Sequence, residues 1–204
     1  MPDESVTPKE SPKKVESAPQ PKVAARKKKP QTPPPAAPTT IPKVAMSEEI
    51  RAACLVKVDD LMPSMELQGL DGKLHALESL AGEKLTVVCL WCGSSVRQRL
   101  ATVAMFEDLI HEVIEPFGAR GVRVAAINVG DSAADVREDM ERAKTTFPCL
   151  FDSKSEFFAK IAKDRRMPRI YLLDAEGKIL WFDVEFSRAT RENLLQALRV
   201  VLGE

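Results

Sequence analysis

No apolar run in the 204-residue sequence approaches the roughly 20 residues that a membrane-spanning helix needs, so no such helix is expected. The first basic residues are followed by Pro, Gln and Thr, not by the apolar stretch of about 7 to 15 residues found in a secretory signal. Histidine is scarce. His75 and His111 stand apart, with no partner at ligand or triad spacing, which argues against a His-based metal centre or a hydrolytic triad; neither metal nor cofactor is expected. The four cysteines, Cys54, Cys89, Cys92 and Cys149, are closely spaced only at Cys89 and Cys92, which fits neither a disulfide framework nor a zinc knuckle. A reducing compartment, the cytoplasm, is the default expectation.

What the sequence has in excess lies at one end. Eleven of the fifteen prolines fall in residues 1–45, with nine Lys/Arg against four Asp/Glu and no aromatic residue. Such a segment cannot bury enough apolar surface to offset its chain entropy. It is expected to be a disordered Pro/Lys-rich tail or linker, polyproline-like at Thr32–Pro38. A net charge of zero therefore hides a tail of about +5 and a remainder of about −5. The run Arg26-Lys27-Lys28-Lys29 reads as a solvated charge cluster before it reads as a contact for anionic surfaces, and the remainder is not a nucleic-acid binder by charge.

Residues 46–55 are expected to form a short lead-in helix over Ser47–Leu55, and 56–204 a folded domain. Glu66–Leu70 and Lys73–Leu77 flank Asp71-Gly72, a two-residue hairpin turn. Leu85–Trp91 is a continuous apolar run of the kind found in a strand covered on both faces. Ser94 or Ser95 can cap the next helix, in which Leu100, Val103, Phe106, Leu109 and Val113 recur at helical spacing, ending near Pro116. Val122–Val129 is a second buried strand, followed by a helix over Ala133–Lys144 capped at Asp131-Ser132. A short strand at Cys149–Phe151 and a helix over Ser155–Lys163 come next. Arg169–Leu173 and Lys178–Val184 make a hairpin around Asp174–Gly177, and Thr190–Leu202 is an amphipathic closing helix. Strands alternating with helices imply an α/β domain with parallel strands in the middle of a mixed sheet and helices on both faces.

These residues resemble a known family. Val58-Asp59-Asp60-Leu61-Met62-Pro63, Leu70-Asp71-Gly72-Lys73, Leu85–Trp91, Val124–Val129, Phe147–Asp152 and Met167–Ile179 follow, in one consistent order over about 145 residues, the pattern of the TlpA-like and AhpC/TSA redoxins of the thioredoxin superfamily. The resemblance implies a thioredoxin fold with an N-terminal β-hairpin extension. It also implies a cis Pro168 facing the active site, followed by an apolar strand and an acidic turn with Gly. Domains of this resemblance are frequently exported in bacteria, so an exported or membrane-tethered form stays open beside the cytoplasmic one.

The family's chemistry needs two thiols in C-x-x-C at the start of the helix after the central strand. There the helix N-terminus stabilises a thiolate that attacks a substrate disulfide, and the second thiol resolves the mixed disulfide. This sequence has Leu90-Trp91-Cys92-Gly93-Ser94-Ser95-Val96-Arg97-Gln98-Arg99 and no C-x-x-C. If Trp91 matches the Trp that ends the family's strand, Ser95 stands at the nucleophile position, Gln98 at the resolving position and Arg99 at the basic residue that follows. If Trp91-Cys92-Gly93 is instead the family's W-C-G, Cys92-Gly93-Ser94-Ser95 is a monothiol C-x-x-S. The first register is preferred because it keeps the apolar strand intact and Phe106 and Leu109 at their expected offsets.

Cys89 lies where thioredoxins often carry a buried Asp or Asn that helps move protons, a task a thiol performs poorly at neutral pH. With Cys149 it falls inside apolar strand patterns and reads as core packing. Cys54 precedes the domain and reads as exposed. The peroxiredoxin pattern P-x-x-x-T/S-x-x-C is absent upstream of Cys92.

Two functions follow from the resemblance. In the first, a redoxin without paired cysteines, inactive or weakly active, binds extended peptides or proteins in a groove formed by Trp91, Cys92–Gln98, Met167 and Pro168. In the second, Cys92 is the nucleophile of a monothiol thiol-disulfide oxidoreductase serving redox homeostasis, resolved by glutathione or a thioredoxin-type reductant.

Overall fold

A computed structural model describes residues 38–204; of the expected tail, residues 1–37, with the Arg26–Lys29 cluster, lie outside the described residues. Ile41 and Val44 pack against the core, and the Thr40 carbonyl accepts from Gln196 Nε2 at 3.0 Å. Helix α1 (Glu48–Ala53) starts at Ser47, whose Oγ accepts from the Ile50 amide.

The first hairpin, β1 (Glu66–Gly69) with β2 (Leu74–Ala76), turns at Asp71-Gly72. There Gly72 supplies a left-handed φ of 78° and Asp71 accepts from the Lys73 amide. The remaining strands are β3 (Leu85–Trp91), β4 (Val122–Val129), β5 (Cys149–Asp152), β6 (Arg169–Asp174) and β7 (Ile179–Asp183), giving one sheet of order β2-β1-β5-β4-β3-β6-β7. β3, β4 and β5 run parallel in the centre, and β1, β6 and β7 join antiparallel on either side.

β3 is buried along its whole length because successive side chains feed two different cores. Leu85, Val87, Cys89 and Trp91 pack with residues of α2 (Val96–Leu109), α4 (Ala133–Arg142) and α6 (Arg188–Leu202), while Val88 and Leu90 pack with Phe157, Phe158 and Ile161 around α5 (Phe158–Ile161). The architecture is the mixed, helix-flanked sheet of the thioredoxin fold, with its hairpin extension at β1–β2. The α6 start is fixed by a capping box between Ser187 and Thr190.

Of three expectations, one is refined and two are corrected. The helix after β3 ends near Pro116, at Phe117, but not as one regular α-helix: a π-helical turn at Ile110–Ile114 leads into α3 (Glu115–Phe117), with the Glu115 amide donating to the Ile110 carbonyl five residues back. A widened turn makes room for a proline that lacks an N–H and would crowd an ordinary α-turn. The helix expected over Ser155–Lys163 shrinks to α5. Asp152 accepts from the Phe157 and Phe158 amides and holds the start back, while Ala162 is already extended and bridges to Cys54.

Cys54, expected to be exposed, is buried. Its thiol donates to the Ile50 carbonyl at 3.3 Å and accepts from Arg169 Nη1 at 3.4 Å. Arg169 is itself fully buried. Its charge is met by Asp164, its Nε donates to the Arg166 carbonyl, and the guanidinium lies 5.6 Å from the centre of the Phe158 ring.

Candidate functional site

The site forms where β3 hands over to α2. Ser95, extended at φ −144° and ψ 157°, caps α2, its Oγ accepting from the Gln98 amide at 3.3 Å. The Gln98 side chain folds back over that cap, and its Oε1 accepts from Ser94 Oγ at 2.5 Å and Ser95 Oγ at 3.1 Å. Ahead of the cap, the Gly93 amide donates to the Asp131 carboxylate, which also accepts from Asn128 Nδ2 at 2.7 Å. Arg99 fastens the first turns of α2 to α4. Its Nε reaches the buried Asp139 at 2.9 Å, and its two outer nitrogens reach Asp135 at 3.0 Å and Glu138 at 3.1 Å.

Cys92 stands three residues before the cap and is half-buried. Burial first, and the Asp131 carboxylate second, push its thiol above the ordinary range; hydrogen bonds from Ser94 and the Arg165 guanidinium pull the other way without overcoming them. Cys89 and Cys149 are core residues. The Cys89 thiol donates to Met105 Sδ at 3.6 Å and is pushed well up by burial, and burial pushes Cys149 up to about 12.

Across from α2, the Met167–Pro168 peptide bond is cis. The fold brings Trp91, Cys92, Gln98, Met167 and Pro168 together as the lining of one pocket of about 160 Å³; Ser95 is outside that lining and contributes through its hold on Gln98. Trp91 forms a rigid wall, its ring edge-to-face with Phe106 at 5.3 Å, and Phe106 repeats the arrangement with Phe147.

Sequence reasoning missed four lining residues, Ala101, Thr102, Met105 and Phe186. The first three lie three, four and seven positions after Gln98, so the helical period carried the signal. Phe186 precedes α6, and nothing in its local sequence marks it.

The arrangement can receive an apolar side chain against Trp91, Met105 and Phe186 beside a single thiol, with no second sulfur atom of cysteine in the lining. Among the described residues no group of three or more His, Cys, Asp or Glu is placed to hold a metal, and no helix is long and apolar enough to cross a membrane. His75 pairs with Asp71 and His111 with Glu115, both on the surface.

The chain is similar to thiol-disulfide oxidoreductase ResA of Geobacillus thermodenitrificans, 24% identical over 148 residues, covering 72% of this chain and 79% of the relative. Among solved structures it resembles one from Bacteroides thetaiotaomicron described as a protein disulfide isomerase, with TM-score 0.63, 20% identity and coverage of 74% of this chain and 94% of the other. It also resembles one from Chlorobium tepidum described as the thiol:disulfide interchange protein DsbE, with TM-score 0.60, 23% identity and coverage of 72% and 99%. At these identities the structural likenesses speak for the thioredoxin fold. A family model described as Redoxin matches residues 57–198, well over half of the sequence, and the chain belongs to the Redoxin family.

Proposed function

We propose that residues 56–204, carried behind the tail 1–45 and lead-in 46–55, are a binding member of the family: the groove holds an extended segment of a partner protein and exchanges no disulfide with it. The observation that carries this reading is the serine cap. A hydroxyl at Ser95 and an amide at Gln98 occupy the i, i+3 pair at the start of α2. Neither is a thiol–disulfide exchange group. The apolar lining, with Met167 and Pro168 facing α2, supports recognition of an extended segment with an inserted side chain.

A second reading is favoured by one observation, that Cys92 lines the same pocket as Met167 and Pro168. In it the Cys92 thiolate attacks a substrate disulfide, forming a mixed disulfide and releasing one substrate thiolate. The thiolate of glutathione or of a thioredoxin-type reductant then attacks the Cys92 sulfur and releases the second substrate thiolate, and a second reductant thiol displaces Cys92 as thiolate, forming the reductant's disulfide. The raised Cys92 thiol weighs against this course at neutral pH.

Iodoacetamide labelling of the folded chain against pH, with Cys92→Ser as control and an insulin-reduction assay in parallel, separates the two. The binding reading expects slow labelling of Cys92 below pH 9 and no insulin reduction. Fast labelling with an apparent pKa under the roughly 8.5 of a free thiol would overturn it in favour of the monothiol enzyme.

A further inference from the structure

The loop that leads to the cis proline carries a cation with no carboxylate to meet it. Arg165 is exposed, yet its guanidinium is held in place: Nη2 donates to the Val129 carbonyl, at the end of β4, at 3.4 Å. The next residue, Gly130, has a φ of +89°, and a Cβ there would stand 2.9 Å from Arg165 Nη2. Gly130 thus serves both a left-handed turn and a seat for the guanidinium. The same guanidinium acts on the Cys92 thiol, which lines the pocket.

Three of the other arginines near the site are spoken for. Arg99 faces Asp135, Glu138 and Asp139; Arg166 faces Asp164 and Glu49; Arg169 faces Asp164. Among the described residues Arg165 has no such partner, and neither does Arg97 in the first turn of α2. The carboxylate that also acts on Cys92, Asp131, is turned to the Gly93 amide and Asn128, and Glu185 is exposed one residue before Phe186. Arg165 stands two residues before Met167 of the pocket lining, and a planar, permanently charged fork there is suited to a carboxylate placed next to an apolar side chain.

We propose that Arg165 is a specificity-determining residue of the groove, selecting extended protein segments in which an acidic residue adjoins the apolar residue that enters the pocket. This rests on the reading of the groove as a peptide-binding site and adds the chemistry of the segment it takes.

The test is fluorescence anisotropy of the full chain with fluorescein-labelled hexapeptides Ser-Gly-Asp-Leu-Gly-Ser and Ser-Gly-Leu-Asp-Gly-Ser, each also made with Asn or Lys in place of Asp and with Gly in place of Leu. In at least one order the Asp peptide binds about fivefold tighter than the Asn peptide at low salt, and the Lys peptide binds more weakly still. The Asp advantage shrinks at about 0.5 M salt. Arg165→Gln abolishes that advantage, and Arg165→Lys keeps part of it. Equal binding of Asp and Asn peptides by the native chain, or an advantage that survives in Arg165→Gln, overturns the inference and leaves the groove reading standing. Binding that ignores the Leu→Gly change, or no binding of any peptide, brings down the groove reading and this inference with it.

Discussion

The two walls of the pocket keep different shares of the redoxin pattern. On the β6 side, Met167 and Pro168 are joined by a cis bond, and the apolar strand and acidic turn that the resemblance implies follow in order. On the α2 side a capped helix follows β3, and in the register proposed above the atoms at the cap are oxygen and amide where the family's chemistry needs sulfur. Recognition of an extended backbone depends on where the chain runs. Exchange depends on which atoms stand at two positions. The first requirement is secured by a buried sheet and many contacts, whereas the second can be lost through two side chains with little cost to the fold.

The comparison is broken most forcefully by giving the α2 wall its sulfur back. Ser95→Cys with Gln98→Cys is expected to confer insulin reduction well beyond that of the parent chain, and the gain survives an added Cys92→Ser. Ser95→Cys alone, which creates Cys92-Gly93-Ser94 followed by a second thiol, gains nothing. Activity in that single variant would establish Cys92 as the nucleophile position.

The β6 wall is probed through the buried charge behind it. Asp164→Ala leaves the Arg169 guanidinium without its carboxylate, and urea denaturation should report a loss of about 3 kcal/mol.

The sulfurs behind the walls can be separated from the one that faces the pocket by alkaline titration of stability. In the unfolded chain Cys149 ionises near 9.0, while the folded chain holds its proton until about 12. Between those values the native state binds more protons than the unfolded one, so stability falls as pH rises from 9 to 12. Cys149→Ala should flatten that fall, measured as Tm against pH relative to the parent chain. The smallest effect is expected at Cys92→Ser, which should alter stability by no more than about 0.5 kcal/mol, since the side chain is only half-buried.

Much of this architecture was legible because it is written in short-range pattern. The unbroken apolar run Leu85–Trp91 could only be a strand covered on both faces, and Asp71-Gly72 between alternating residues could only be a tight turn. The serine cap was legible for the same reason. Features that depend on a distant partner were not. The burial of Cys54 is decided by Arg169 and Ala162, more than a hundred residues away, and the place of Phe186 in the pocket by the packing of the segment before α6. The π-turn at Ile110–Ile114 escaped because the local rule for proline says where a helix ends, not how its last turns are wound.

The hold of Gln98 on Ser94 and Ser95 has a consequence for how the groove responds to its surroundings. A cysteine pair at the head of a helix has two covalent forms, and the surface around it differs between an oxidising and a reducing medium. The Ser–Gln clasp has one form and carries no electrons. Closure of this end of α2 is therefore indifferent to ambient potential and needs no reductase to reset it.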